Sequence, residues 1–168
     1  MNGRLPKRVL GVDPGQKGAM AFLSVQGEIE ELEDMPVIGK EVNAHMVSFL
    51  IQGYGPILVA VVEAAHSMPR EGHAGAFTYG TGYGKVLGVL AALDVPIELA
   101  SASTWKKAMG LTTDKDLSRS KATSRWPTYA DSFKLKKHDG RAEAALLAMW
   151  WINQHRTPRM IKRRLVTD

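Results

Sequence analysis

The sequence predicts an α/β domain: a mixed sheet of five strands, the first three antiparallel, with helices packed on both faces. Three observations carry this. Short apolar runs alternate with helically spaced segments in the order β-β-β-α-β-α-β, and further helices follow. The first three runs are joined by short connections, as in an antiparallel meander. The fourth, "PILVAVVE" (56–63), is apolar without alternation, the pattern of a strand covered on both faces.

The elements follow in order. "RVLGVD" (8–13) is a short buried strand in which Val9, Leu10 and Val12 are apolar. "PGQKG" (14–18) has turn chemistry. "AMAFLSV" is the second strand and "GEIEELEDM" the third, alternating Ile29 and Leu32 with acids. "EVNAHMVSFLIQGYG" (41–55) has helical spacing, and Gly53 to Gly55 stop it. After the strand 56–63 comes a Gly-rich loop that includes Met68 and feeds a helix over about 77–93. "VPIELA" (95–100) is the fifth strand. From Ser103 onward the pattern turns helical and basic, through "STWKKAMGL" and "DKDLSRSKATSRW". "DGRAEAALLAMWWINQH" (139–155) reads as an amphipathic helix with Ala142, Leu146 and Trp150 on its core side. We divide the chain into one domain, 1–155, and a basic tail, 156–168.

Composition narrows the function. The 168 residues are 45 % apolar, enough for one packed core. There is no cysteine, which excludes disulfides, thiolate metal sites and thiol catalysis. The N-terminus has no signal-peptide core, and no stretch reaches the ~18 apolar residues of a membrane helix. A soluble cytoplasmic protein without a membrane partner is the expectation. Residues 1–100 carry 7 Lys and Arg against 11 Asp and Glu, whereas residues 101–168 carry 15 against 6. A basic half suits a polyanion, and an acidic half suits cations.

Four acids stand out. Asp13 and Glu63 each close a predicted central strand. If those strands are parallel neighbours, both carboxylates reach the sheet edge where α/β proteins bind ligands. Asp139 and Glu143, four apart, share one face of the last helix. Each also has a plain structural use: Asp13 as a turn cap, Asp139 as an N-cap, Glu143 as a surface acid. Convergent carboxylates repel, and a pair of hard divalent cations, Mg²⁺ or Mn²⁺, removes the conflict. Two such ions can activate water and stabilise the leaving oxygen of a phosphodiester.

Other chemistries lack their motifs. The five histidines have no zinc spacing, and no G-x-S-x-G is present. "GTGYGKV" (80–86) lacks the Walker spacing, so its glycines read as close packing or a flexible loop, and no nucleotide cofactor is expected. His138 is either a helper base or ligand, or a solvent-exposed helix-start residue.

"GVDPG", the strand ending "VVE", "STWKKAMGLTTDKDLSRSKA" and "HDGRAEAALLA", in this order, resemble the RuvC family of Holliday junction resolvases over about residues 8–152. The resemblance implies an RNase H-like fold and a homodimer that binds a four-way DNA junction. Each subunit would cut one strand with Mg²⁺ or Mn²⁺, two ions per site. It makes Asp13, Glu63, Asp139 and Glu143 the metal ligands and Lys115 a lysine beside the scissile phosphate. Glu143 stands where the family usually has Asp. The family often spaces its helix acids by three residues, but position 140 is Gly, which leaves Asp139. Trp105, Lys106, Lys107, Lys115, Arg119 and Lys121 lie in the segment that resembles the family's DNA-backbone contacts. Met68, Phe77, Tyr79 and Tyr83 either stack on unpaired bases or pack in the core. An RNase H-like nuclease for another branched, flap or hybrid nucleic acid is the alternative. "GVDPGQKG" also resembles the first phosphate loop of actin- and sugar-kinase-like ATPases, but the duplicated domain and second Gly-rich phosphate loop those need are not expected here.

Overall fold

The computed structural model describes residues 7–65 and 72–156. Its central sheet has five strands: β1 (Arg8–Asp13), β2 (Ala19–Ser24), β3 (Ile29–Asp34), β6 (Ile57–Glu63) and β7 (Ile97–Ala100). They lie in the order β3-β2-β1-β6-β7. β1 pairs antiparallel with β2, and β2 with β3, whereas β6 is parallel to both β1 and β7. A two-residue hairpin, β4 (Val37–Ile38) with β5 (Glu41–Val42), stands apart and is too short to leave a sequence period.

Among the described residues six α-helices complete the fold: α1 (Ala44–Tyr54), α2 (His73–Ala92), α3 (Ala102–Ala108), α4 (Lys115–Arg125), α5 (Ala130–Phe133) and α6 (Asp139–His155). Their starts follow local chemistry. Asn43 Oδ1 accepts from the amide of Met46, Ser101 Oγ from Thr104, and Asp114 Oδ1 from Asp116. Among the described residues no helix is long and apolar enough to cross a membrane.

Alternation along the strands builds two cores. On one face Val9, Ala21, Leu23 and Val61 pack with Trp105, Phe133 and α6. On the other, Leu10, Val12, Phe22 and Val62 pack with Val47 of α1 and Val86 and Leu90 of α2. On the first of these faces Gly11 meets α6 directly. A Cβ there would overlap the Ala144 carbonyl oxygen and lie 3.0 Å from Ala148 Cβ. Small residues on both elements therefore bring helix and strand backbones together.

Three expectations are corrected. α6 is not amphipathic: residues 142–149 are all buried, because the sheet covers one side and α3, α4 and α5 the other. Trp150 packs against the core as expected, partly buried. α2 begins at His73, so 80–86 is helix interior and no loop: Gly82 lies against Val42, while Gly80 and Gly84 face open space. His138 is buried, with Nδ1 accepting from the Leu135 amide, and is no exposed helix start. Met68 and the tail beyond residue 156 lie outside the described residues.

Candidate active site

The register Val12↔Val62 sends parallel β1 and β6 off the sheet together, so Asp13 and Glu63 leave the same edge side by side. The β1–β2 turn is tight. Its Gly15 amide reaches Asp13 Oδ1 at 3.4 Å, and a Cβ on Gly18 would collide with the Asp13 backbone. The start of α6 seats on this turn. Gly140 has room for no side chain: its Cβ would fall 2.6 Å from the Lys17 carbonyl oxygen and 2.7 Å from Gly18 Cα. That contact is the physical reason position 140 carries no acid. One turn later Glu143 is 3 % exposed and joins the strand-end acids.

Burial first, then the charges of Glu143 and Glu63, push the Asp13 carboxyl from 3.8 up to about 6. Lys115 and the Gly15 amide pull in the opposite direction. Carboxylates from two other elements thus act on Asp13. Cations partly answer them: Lys106 Nζ lies 2.8 Å from Glu143 Oε1, and Lys115 Nζ lies 2.6 Å from Oε2. Burial opposes the Lys115 charge, but its hydrogen bond to Glu143 and the fields of Glu143, Asp13 and Glu63 hold its pKa above the usual lysine value. Buried Ser118 donates to Glu143 Oε1 at 3.4 Å.

Three residues expected at DNA, Trp105, Lys106 and Arg119, face inward. Trp105 is fully buried, and its indole Nε1 donates to Glu63 Oε2 at 2.8 Å. It is therefore no surface contact. α3 turns it into the core packed with α6, and Lys106 next to it turns to Glu143. Arg119 binds Asp139 through Nη1 and Asp116 through Nη2. Asp139 is thus engaged by a cation from α4, while Glu143, Glu63 and Lys115 are the charges that bear on Asp13. His138 belongs to the scaffold: burial first, then the cations Arg141 and Lys137, lower its pKa.

Lys107 and Lys121 are exposed, as a role at a phosphate backbone requires. Phe77 is 77 % exposed at the start of α2. Tyr79 is half-buried, stacks on Tyr83 at 6.5 Å between centroids, and its ring edge borders Gly15 beside Asp13. Sequence reasoning missed Ser118, whose signal is its place one turn after Lys115 on the face of α4 that meets α6.

The residues suit a hard divalent cation. Every carboxylate donor is oxygen, and the crowding that raises Asp13 is relieved by positive charge. As the side chains stand, the described residues hold no group of three His, Cys, Asp or Glu placed around one ion position. Both Glu143 oxygens are held by lysines.

Fold and site together define an RNase H-like α/β domain with a carboxylate cluster at the end of its central strands. Among solved structures it is similar to RuvC of Thermus thermophilus in complex with a Holliday junction substrate. That likeness has a TM-score of 0.63 at 15 % identity and covers 88 % of this chain and 96 % of that one. A second T. thermophilus RuvC structure gives a TM-score of 0.61 at 16 % identity, with the same coverage. No family model and no curated protein matches the chain.

Proposed function

We propose that this protein is a metal-dependent endodeoxyribonuclease that resolves four-way DNA junctions by paired cleavage, as a homodimer in the cytoplasm of a bacterial or phage-infected cell. One observation carries the reading: Asp13, Glu63 and Glu143 meet at the C-terminal sheet edge of a RuvC-like fold, beside Lys115. The T. thermophilus RuvC of similar fold is described in complex with a Holliday junction, which favours a branched duplex as substrate.

Asp13, Glu63 and Glu143 would hold Mg²⁺ or Mn²⁺ as a pair of ions, which supply Lewis-acid stabilisation of the phosphate and a water of lowered pKa. The protein's own residues prepare the ground. Trp105 fixes the orientation of Glu63 through its N–H. Lys115, with nearly half its side chain exposed, can leave Glu143 for a phosphate oxygen and offset charge that develops there. Lys107 and Lys121 hold the DNA backbone without reading sequence. Phe77 and Tyr79 offer ring faces to bases unpaired at the branch point.

The test is incubation with a mobile four-way junction, a duplex, a flap and an RNA–DNA hybrid, with and without Mg²⁺. Symmetric nicking of the junction, only with the cation, is the expected result. Equal cutting of flap or hybrid would reassign the substrate, and no cutting of any would reject the nuclease reading. Sedimentation at the mass of two chains is expected of the active species.

A further inference from the structure

Helices α4 and α6 are joined by two ion pairs that run as the rungs of an antiparallel ladder. Lys115 on α4 meets Glu143 on α6, and Arg119, one turn later on α4, meets Asp139, one turn earlier on α6. The rungs differ in their surroundings. The Lys115 side chain is 47 % exposed and takes Glu143 with its amine alone, whereas the Arg119 side chain is 13 % exposed and bridges Asp139 to Asp116 with two nitrogens. A guanidinium fork held by two carboxylates is the more rigid of the two links. Behind it, Ser118 and Ala122 are fully buried, and Gly140 is locked against the β1–β2 turn.

We infer that Arg119 and Asp139 are positioning residues: they form a fixed rung that holds α4 on α6 while the Lys115–Glu143 rung opens to admit cation and phosphate. The cation-holding set of this chain is then three carboxylates, Asp13, Glu63 and Glu143. Asp139 is occupied by Arg119, and the steric block at Gly140 removes the alternative position for a fourth. Arg119 serves the site from within and makes no phosphate contact. The inference deepens the nuclease reading and rests on it for the meaning of the opened rung.

The experiment has two readouts that need no DNA. Mn²⁺ titration calorimetry on the free protein compares wild type, Asp13→Asn and Asp139→Asn. Amide hydrogen exchange follows residues 115–125 in wild type, Arg119→Lys, Arg119→Met and Asp13→Asn. Asp139→Asn is expected to keep Mn²⁺ affinity within about 3-fold, against a loss of at least about 10-fold for Asp13→Asn. Arg119→Met is expected to speed exchange across α4 about 10-fold, with Arg119→Lys in between and no acceleration in Asp13→Asn. A reversed-charge pair, Asp139→Arg with Arg119→Asp, is expected to restore slow exchange. Loss of Mn²⁺ affinity in Asp139→Asn equal to that in Asp13→Asn would make Asp139 a ligand and overturn the assignment. Unchanged exchange in Arg119→Met would overturn it equally. Wild-type protein without Mn²⁺ affinity sinks the metal reading of the site, and the exchange arm still decides the rung.

Discussion

Trp105 and Glu63 meet through a 2.8 Å hydrogen bond from the indole N–H to a carboxylate oxygen, with the indole fully buried. The bond fixes the carboxylate at the end of β6 in one orientation, where an exposed glutamate would sample several. Trp105→Phe keeps the ring and removes the donor. Junction cleavage is expected to slow by about 10- to 100-fold, the usual cost of losing an outer partner of a ligand. Metal-free junction binding, read by gel shift, should be unchanged. A variant that cuts at the wild-type rate would show that the bond is not needed.

The crowding around Asp13 makes a prediction about stability and pH. Its carboxyl titrates at about 6 in the folded protein against 3.8 as the ordinary value. Between those values the folded state holds a proton that the unfolded state has released. Stability from this group is therefore fullest below ~4, declines as pH rises to ~6, and stays reduced above it, by roughly 3 kcal/mol. Asp13→Asn should raise the cation-free melting temperature at about pH 8 by ~5–10 °C and leave it unchanged near pH 4. Saturating Mg²⁺ should close the gap at high pH. Equal shifts at both pH values would rule out repulsion as the cause.

Lys106 and Lys115 compete with any cation for Glu143. Lys106→Met leaves a carboxylate that is 3 % exposed with one ammonium instead of two. The cation-free protein should lose about 2–4 kcal/mol in urea unfolding, since half of a buried pairing is gone. Added Mg²⁺ should recover more stability in the variant than it adds to wild type. The same Mg²⁺ increment in both would remove Lys106 from the competition.

Gly140 is closed to side chains by the Lys17 carbonyl oxygen and the Gly18 backbone. Gly140→Ala should destabilise the protein by about 2–4 kcal/mol, because backbone on both sides must move. Gly140→Asp should do no better, and should not add a cation ligand. A stable Gly140→Asp protein with raised Mn²⁺ affinity would contradict the packing described for the start of α6.

The strand order and both strand-end acids were legible because each strand carries its own period and each acid stands where that period stops. Glu143 was legible through the Asp139–Glu143 spacing on a strong helix. Trp105 was misread, and the ion pair of Asp139 was unforeseen, for one reason: sequence places a residue on a helix face but does not say what packs there. Arg119, twenty positions before Asp139, takes it, and the roof formed by α6 takes in Trp105. α6 was misread as amphipathic because alanines are small enough to be covered on every side. Ala144 and Ala148 lie on Gly11, and a glycine in a strand does not by itself announce that contact.

The intimate seat of α6 on Gly11 joins the first described strand to the last described helix. During synthesis β1 leaves the ribosome long before residues 139–148 exist, and until then its face at Gly11 has nothing to cover it. A nascent chain therefore carries Asp13 and Glu63 without Glu143. On the nuclease reading proposed above, the site would stay incomplete until α6 docks on β1.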